Sequence, residues 1–360
     1  MIILLILLIF YTVLLLLISS GFIYIESHKY HSEHIVNNYR PETLVIMPVR
    51  GIDYSLEKNL ISVKNQEYEN FKFLCVVDSE EEEALKVIKK LDIEYITSSY
   101  KCDKCSGKVR AISTAIQLYN NYEVYLLADS DIEVKKNWIL NMVMPLNQED
   151  AGLSTTFPYF YPKNGFWAQI KEIWGFVGMG LMESKLTRFG WGGSLAFKHE
   201  LISDSLEFFS EHVSDDTALT KICKQKGKKI YYVDSAQPDI NSPDTFKVFA
   251  EWANRQTALS ISASPKVYYY GLLFYGAYLF LFFSAILMGV FYNPLYFLFL
   301  IPAVMYIYNM VRRLKHIKPV NILGSIILPF IYMTNLIVAK RMKKITWRGN
   351  TYDIEDKNLL

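Results

Sequence analysis

Net charge is what this sequence has least of: 38 lysines and arginines against 36 aspartates and glutamates leave +2 over 360 residues. No basic excess is available to hold a polyanion, so the total gives no support to a nucleic-acid partner. Cysteine is equally scarce, with Cys75, Cys102, Cys105 and Cys223 the only four, too few for a disulfide-stapled scaffold. Cys102 and Cys105 form a lone C-x-x-C without a second pair or a nearby histidine, so half the ligands of a structural zinc site are missing. The reading is a loop of reduced thiols. No basic residue precedes the first apolar run, which argues against a cleaved leader and for a retained anchor.

What the chain has instead is apolar length. Hydrophobic residues make up 51% and charged residues 21%, and the mean hydropathy is +0.13. That mixture implies a soluble domain joined to membrane helices. Residues 1–25 contain the almost unbroken apolar run Ile2 to Ile25, longer than the roughly 20 residues a bilayer requires. A C-terminal membrane region, 268–339, follows the same logic. It comprises Tyr268 to Phe291, an Asn293-Pro294 turn, Leu295 to Val311, and Val320 to Ala339. Basic clusters after the second and third of these (Arg312, Arg313, Lys315, His316, Lys318; then Lys340, Arg341, Lys343, Lys344) both favour the cytoplasmic side. A full third crossing would separate them, whereas Gly324 and Pro329 allow a broken, re-entrant last segment instead; both alternatives stay open, and 340–360 reads as a basic cytoplasmic tail.

Between these regions, residues 41–240 alternate strand-like and helix-like patterns. Thr43 to Met47, Phe71 to Val77, Ile93 to Ile96 and Glu123 to Ala128 read as strands. Asn59 to Gln66, Glu80 to Lys90 and Lys108 to Tyr119 read as helices. This is an α/β pattern with a mainly parallel sheet, whose ligands belong at the C-terminal strand ends. Pro48 and Arg50 in Pro48-Val-Arg-Gly51, then Asp78, then Asp129-Ser130-Asp131 all fall there. The i, i+2 carboxylates can hold a divalent cation, which in turn can hold a diphosphate, although Asp and Ser also make ordinary turns. Asp215-Asp216 follows Ser214 at a helix start; the acids either complement the helix dipole or supply a general base. Gly192-Gly193 either admits a ligand close to the backbone or makes a turn. Residues 244–263 suit an interfacial helix, with Phe249, Trp252 and Leu259 on one face. Arg255 there either pairs with Glu251 or neutralises phosphate.

In this order and spacing the motifs resemble the family 2 glycosyltransferases of GT-A (Rossmann-like) fold, especially membrane enzymes of the ceramide glucosyltransferase type. The likeness runs from about Pro48 to Tyr352. It rests on Pro48-Val-Arg-Gly51 with Asp53, Val77-Asp78-Ser79, Ser106-Gly107-Lys108-Val109, Asp129-Ser-Asp131, Gly192-Gly193, Asp215-Asp216, and Trp347-Arg-Gly349 with Tyr352. The resemblance implies that Asp78 contacts the base or ribose of a nucleotide sugar and that Lys108 lies near its phosphates. It also implies that Asp129 and Asp131 bind nucleotide and Mg²⁺ or Mn²⁺, with Asp216 as general base. Of the family's Gln-x-x-Arg-Trp, only Arg255 is kept, in Trp252-Ala-Asn-Arg255-Gln256.

The expectation is therefore a multi-pass membrane enzyme that transfers a hexose, with inversion, from a nucleotide-diphosphate sugar (a UDP-hexose first) to a lipid hydroxyl. Its catalytic domain would face the cytoplasm. The rival readings are a polysaccharide-elongating glycosyltransferase, a nucleotidyltransferase that releases pyrophosphate, and a non-enzymatic ligand-binding membrane protein.

Overall fold

Strand-forming and helix-forming segments alternate through the middle of the chain and are flanked by long apolar helices. The computed structural model describes residues 2–28 and 38–354. In chain order the elements are α1 (Ile2–Ser27), β1 (Thr43–Val49), α2 (Leu56–Lys64), β2 (Phe71–Val77), α3 (Leu85–Lys90), β3 (Glu94–Thr97) and α4 (Gly107–Leu118). Then come β4 (Val124–Ala128), β5 (Ile132–Glu133), α5 (Trp138–Val143), β6 (Ala151–Thr155), β7 (Tyr159–Pro162), α6 (Phe166–Glu183) and β8 (Ser194–Lys198). The chain continues through α7 (His199–Ile202), α8 (Leu206–Ser210), α9 (Asp215–Gln225), β9 (Lys229–Tyr232), β10 (Asp239–Ser242) and α10 (Phe246–Ala263). It closes with α11 (Lys266–Phe291), α12 (Ile301–Val311), α13 (Pro319–Arg341), β11 (Lys344–Trp347) and β12 (Asn350–Asp353).

Two units result, and the sheet unit comprises residues 30–161, 181–242 and 344–360. Its main sheet has the order β3-β2-β1-β4-β8-β6-β9. β1 to β4 are mutually parallel, β8 runs antiparallel to both β4 and β6, and β9 is parallel to β6. The expected mainly parallel α/β sheet is present. All five residues of β4 are buried, as an apolar run covered on both faces requires. α4 packs over the neighbouring strands β1 and β2, with Val109, Ile112 and Ala115 fully buried, and Ser106 caps the helix by accepting the Val109 N–H at 3.2 Å. α9 starts as its sequence indicates: the Ser214 hydroxyl accepts the Thr217 N–H, and Gly227, at φ 66°, lies just beyond its end.

Two expectations in this unit are corrected. The acids from Glu80 do not open a helix, since α3 begins only at Leu85. Side-chain hydrogen bonds compete for them: Glu80 accepts from the Tyr95 and Thr97 hydroxyls, and Glu82 accepts the Gly51 N–H at 2.6 Å. Cys102 and Cys105 are joined as a disulfide, with Cα atoms 5.8 Å apart. Because the turn before α4 brings their side chains together, the two thiols are not the unbonded pair expected.

The helical unit comprises residues 1–29, 162–180 and 243–343. Four of its segments, Ile2–Ser27, Lys266–Phe291, Pro294–Val311 and Pro319–Arg341, are long and apolar enough to cross a membrane. α10 is capped by Thr245 and buries Phe249, Ala253, Thr257, Ala258 and Ile261. Leu259 is only half-buried, so the inward face is displaced from the Phe249/Trp252/Leu259 stripe expected. Of the two alternatives for the last apolar segment, the broken one is excluded, because α13 runs unbroken through Gly324 and Pro329. Gly324 serves close packing rather than a break: a Cβ there would meet the Cδ1 atoms of Ile170 and Ile173 at 2.8 and 2.9 Å. Polar groups buried on α13 are satisfied by neighbours, Asn321 by Gln169 and Glu172, and Asn335 by Trp174 and Asn254. Finally, residues 344–353 are not a free tail but the β11–β12 hairpin of the sheet unit; residues 355–360 lie outside the described residues.

Candidate active site

The C-terminal end of β4 delivers Asp129, and the first turn of α4 delivers Lys108 to meet it, Nζ to Oδ1 at 2.7 Å. The first residue of α9, Asp215, approaches the same ammonium from the other side at 3.1 Å. Only 9% of either the Lys108 or the Asp215 side chain is exposed, against 31% of Asp129. One cation therefore ties the acid of the Asp-Ser-Asp motif to the first acid of the Asp-Asp pair. Burial works against the charge on Lys108, but Asp129 and Asp215 outweigh it and hold its pKa above the ordinary lysine value. Burial pushes the Asp215 carboxyl up to about 6, with Lys108 pulling the other way.

The glycine pair closes this cluster from the side of β8. The Gly193 carbonyl accepts the Asp129 N–H at 3.2 Å. A Cβ on Gly192 would stand 2.1 Å from Asp215 Oδ2 and 3.0 Å from Lys108 Nζ, and one on Gly193 would stand 2.2 Å from the Trp191 ring. Both glycines are thus required by the space their neighbours leave. Asp216, the second acid, has a different environment. Half-buried, it accepts from the Ser214 hydroxyl and from the Thr217 N–H at 2.7 Å, which fixes its carboxylate at the mouth of α9.

A second cluster lies at the ends of β1 and β2. Arg50 pairs with Asp78 at 3.1 Å, and Gly107 at the start of α4 sits against that carboxylate, with its would-be Cβ 3.9 Å away. Pro48 lies inside β1 opposite Val76, since the strand extends further than the sequence reading gave it. Asp131 is half-buried at the start of β5. Arg255 stands on α10, in the helical unit.

Sequence reasoning gave no role to Asp53, Ser130, Arg348 or Tyr352. Ser130, between the two acids, donates to Asp53 Oδ2 at 2.5 Å, and Arg348 donates to Asp53 Oδ1 at 2.6 Å and to the Arg50 carbonyl. The Tyr352 hydroxyl accepts the Gly107 N–H at 3.4 Å. The signal was the presence of Trp347-Arg-Gly349 and Tyr352 among the ordered motifs. What it lacked was any local reason for them to reach β1 and α4.

Among the described residues no three His, Cys, Asp or Glu side chains converge as a metal cage. Asp129 and Asp131 nevertheless offer two hard oxygen donors at an accessible strand end. That fits Mg²⁺ or Mn²⁺, which take one or two carboxylates and complete their shell with water and substrate phosphate.

Residues 8–360 match the sequence profile of glycosyl transferase family 21. Ceramide glucosyltransferase 1 of Caenorhabditis elegans is 25% identical over 205 residues, covering 52% of this chain and 43% of that protein. Ceramide glucosyltransferase 3 of the same organism is 26% identical over 154 residues, covering 41% of this chain and 34% of that one. The chain thus spans less than half the length of these curated relatives. Among solved structures, the mannosyltransferase PcManGT from Pyrobaculum calidifontis, in complex with GDP-Man and Mn²⁺, superposes with a TM-score of 0.57 at 15% identity. That match covers 92% of this chain and 97% of that one, and it shows a shared fold.

Proposed function

The chain belongs to glycosyl transferase family 21, and on that premise we propose that it is a membrane-bound, inverting hexosyltransferase. It moves a hexose from a nucleotide-diphosphate sugar, a UDP-hexose first, to the hydroxyl of a membrane lipid, ceramide-like or other, at the cytoplasmic face. The carrying observation is the Lys108 bridge, which draws Asp129 and Asp215 to one ammonium at the strand ends where such sheets bind ligands. The lipid acceptor is supported by the four long apolar helices and by the names of the curated relatives.

Asp78 and Arg50 face the nucleoside, Lys108 the diphosphate, and Gly192-Gly193 lets backbone approach the sugar. Asp129 and Asp131 hold Mg²⁺ or Mn²⁺, which when bound neutralises charge on the departing diphosphate. Asp216 takes the proton of the acceptor hydroxyl; the freed oxygen bonds to the anomeric carbon, and the bond from that carbon to the diphosphate oxygen breaks with its electron pair on the nucleotide. Of the two acids at α9, Asp216 suits this role because Asp215 is enclosed against Lys108 while Asp216 is half-open.

The test is product analysis by mass spectrometry, using purified protein, membrane lipid extract and a panel of nucleotide sugars with Mn²⁺. A glycolipid and a nucleoside diphosphate in equal amounts are expected. Pyrophosphate instead would make the protein a nucleotidyltransferase, a polymeric product would make it a polysaccharide synthase, and no consumption of any donor would overturn catalysis altogether.

A further inference from the structure

The β11–β12 hairpin is distant in sequence from every motif of the sheet rim, yet its turn reaches that rim. Trp347 pairs with Asn350 across a two-residue turn, and both turn residues have positive φ, 49° at Arg348 and 80° at Gly349. Such a turn favours residues like Asn and Gly at both central positions. An arginine with left-handed backbone is uncommon, and here its side chain is fully engaged in the site. One guanidinium nitrogen donates to the Arg50 carbonyl and another to Asp53 Oδ1 at 2.6 Å. Asp53 turns its second oxygen to the Ser130 hydroxyl at 2.5 Å. Ser130 is itself clasped from behind, its carbonyl accepting from Asn59 at 2.9 Å. The relay Arg348–Asp53–Ser130 therefore ends between Asp129 and Asp131.

The same hairpin touches the opposite wall. The Tyr352 hydroxyl takes the Gly107 N–H, and the Asp78 carboxylate and the Tyr352 hydroxyl both lie within 4.0 Å of the Gly107 Cβ position. Beside the relay a cavity of about 440 Å³ opens, lined by Arg50, Gly51, Ile52, Glu82 and Arg348. Its lining combines an apolar side chain, two guanidinium groups and a carboxylate, next to the Arg50–Asp78 pair.

We propose that the C-terminal hairpin completes the donor site: Arg348 is a positioning residue that sets the Asp129-Ser130-Asp131 loop through Asp53, and it walls the cavity that receives the nucleoside end of the donor. This rests on the glycosyltransferase reading above. A hairpin that merely finished the fold would affect stability without selecting among substrates. A relay to the metal-binding loop affects nucleotide and metal affinity and leaves the acceptor alone. Asp53 and Arg348 act as one unit, so their effects do not add.

Binding of UDP and of GDP with Mn²⁺ to the full-length protein in detergent, followed by calorimetry, tests this without relying on turnover. Arg348→Ala is expected to weaken Mn²⁺-dependent binding of the preferred nucleotide at least tenfold, with Arg348→Lys intermediate. Asp53→Asn is expected to match it, and the double variant to be no weaker than either single one. In glycosyl transfer assays the donor KM and the Mn²⁺ requirement should rise while the acceptor KM stays within twofold. Wild-type binding with Arg348→Ala within twofold of it overturns this proposal alone, as do additive losses in the double variant. Wild-type protein that binds neither nucleotide overturns the glycosyltransferase reading and the proposal with it. Should Arg348→Ala fail to fold, Tyr352→Phe, which keeps the ring, decides: a donor-KM rise of threefold or more supports the proposal, and an unchanged donor KM overturns it.

Discussion

Lys108 pairs with Asp129 and Asp215, while Asp216, the proposed general base, is only half-buried. Replacing Asp216 by Asn removes the proton acceptor while keeping hydrogen-bonding capacity toward Ser214 and Thr217. The expected outcome is a fall in kcat of about 10²- to 10⁴-fold with Mn²⁺-dependent nucleotide binding retained, read from initial rates beside a binding titration. Away from the site, His212 is 1% exposed and bonds the Phe208 carbonyl at 2.7 Å. Burial pushes its pKa below the ordinary imidazole value of 6.5. The unfolded chain therefore binds a proton that the native state refuses. The stability contributed by neutral His212 is full above pH 6.5 and declines as the pH falls below that value. In His212→Gln the slope of Tm against pH on the acid side of 6.5 should flatten, and an unchanged slope would remove His212 as its source.

At the scale of elements, α4 is the piece on which most of the site depends. Its N-terminus lies between the Arg50–Asp78 pair and the Lys108–Asp129–Asp215 cluster, and its inner face is fixed in the sheet core by Val109, Ile112, Ala115 and Ile116. The cap at Ser106 holds that N-terminus in place. Ser106→Ala should cost about 1 kcal/mol, measured by thermal or urea unfolding in detergent, and should weaken nucleotide binding because Lys108 lies in the first turn. The Cys102–Cys105 link closes the turn just before the same cap. α4 and β4 were legible in the sequence because each is an apolar pattern bounded by a cap or turn residue. α3 was not, because the side-chain partners of Glu80 and Glu82 lie on β3 and the β1–α2 loop, far from any helix-dipole argument.

For the whole molecule, two contacts bear on membrane topology. Glu26, at the end of α1, pairs with Arg312 at 2.6 Å and Arg313 at 3.0 Å, so the end of α12 lies beside the end of α1. The β11–β12 hairpin belongs to the sheet unit. With a cytoplasmic catalytic domain, as proposed, the expected topology has α11 and α12 make one excursion and keeps the chain after α13 with the end of α12, although α13 is long and apolar enough to cross. Its polar contacts through Asn321 and Asn335 to α6 and α10 agree with a helix lying against others rather than alone in lipid. Cysteines engineered at Lys315 and Thr351 should both label from the catalytic side of sealed vesicles, and one at Asn293 from the opposite side. Labelling of Thr351 and Asn293 from the same side would refute this topology. In that expected topology the basic clusters at both ends of α13 satisfy the positive-inside preference together.

By itself the sequence determined what one-dimensional pattern and residue chemistry can carry. The β–α alternation, the acids at strand ends, the capped helix behind Asp215-Asp216 and the long apolar runs all follow from local periodicity and from the cost of burying charge. Tertiary structure decided the pairings. Only the packed sheet placed Lys108 between Asp129 and Asp215, gave Gly192 no room for a side chain, and made α13 a continuous helix with Gly324 as a contact point. Only folding closed the relay from Arg348 to Asp53, 295 residues apart, and on to Ser130, 77 residues from Asp53. Such contacts have no local signature because their energy is realised only after the intervening chain has been buried, so no window of sequence contains the reason for them.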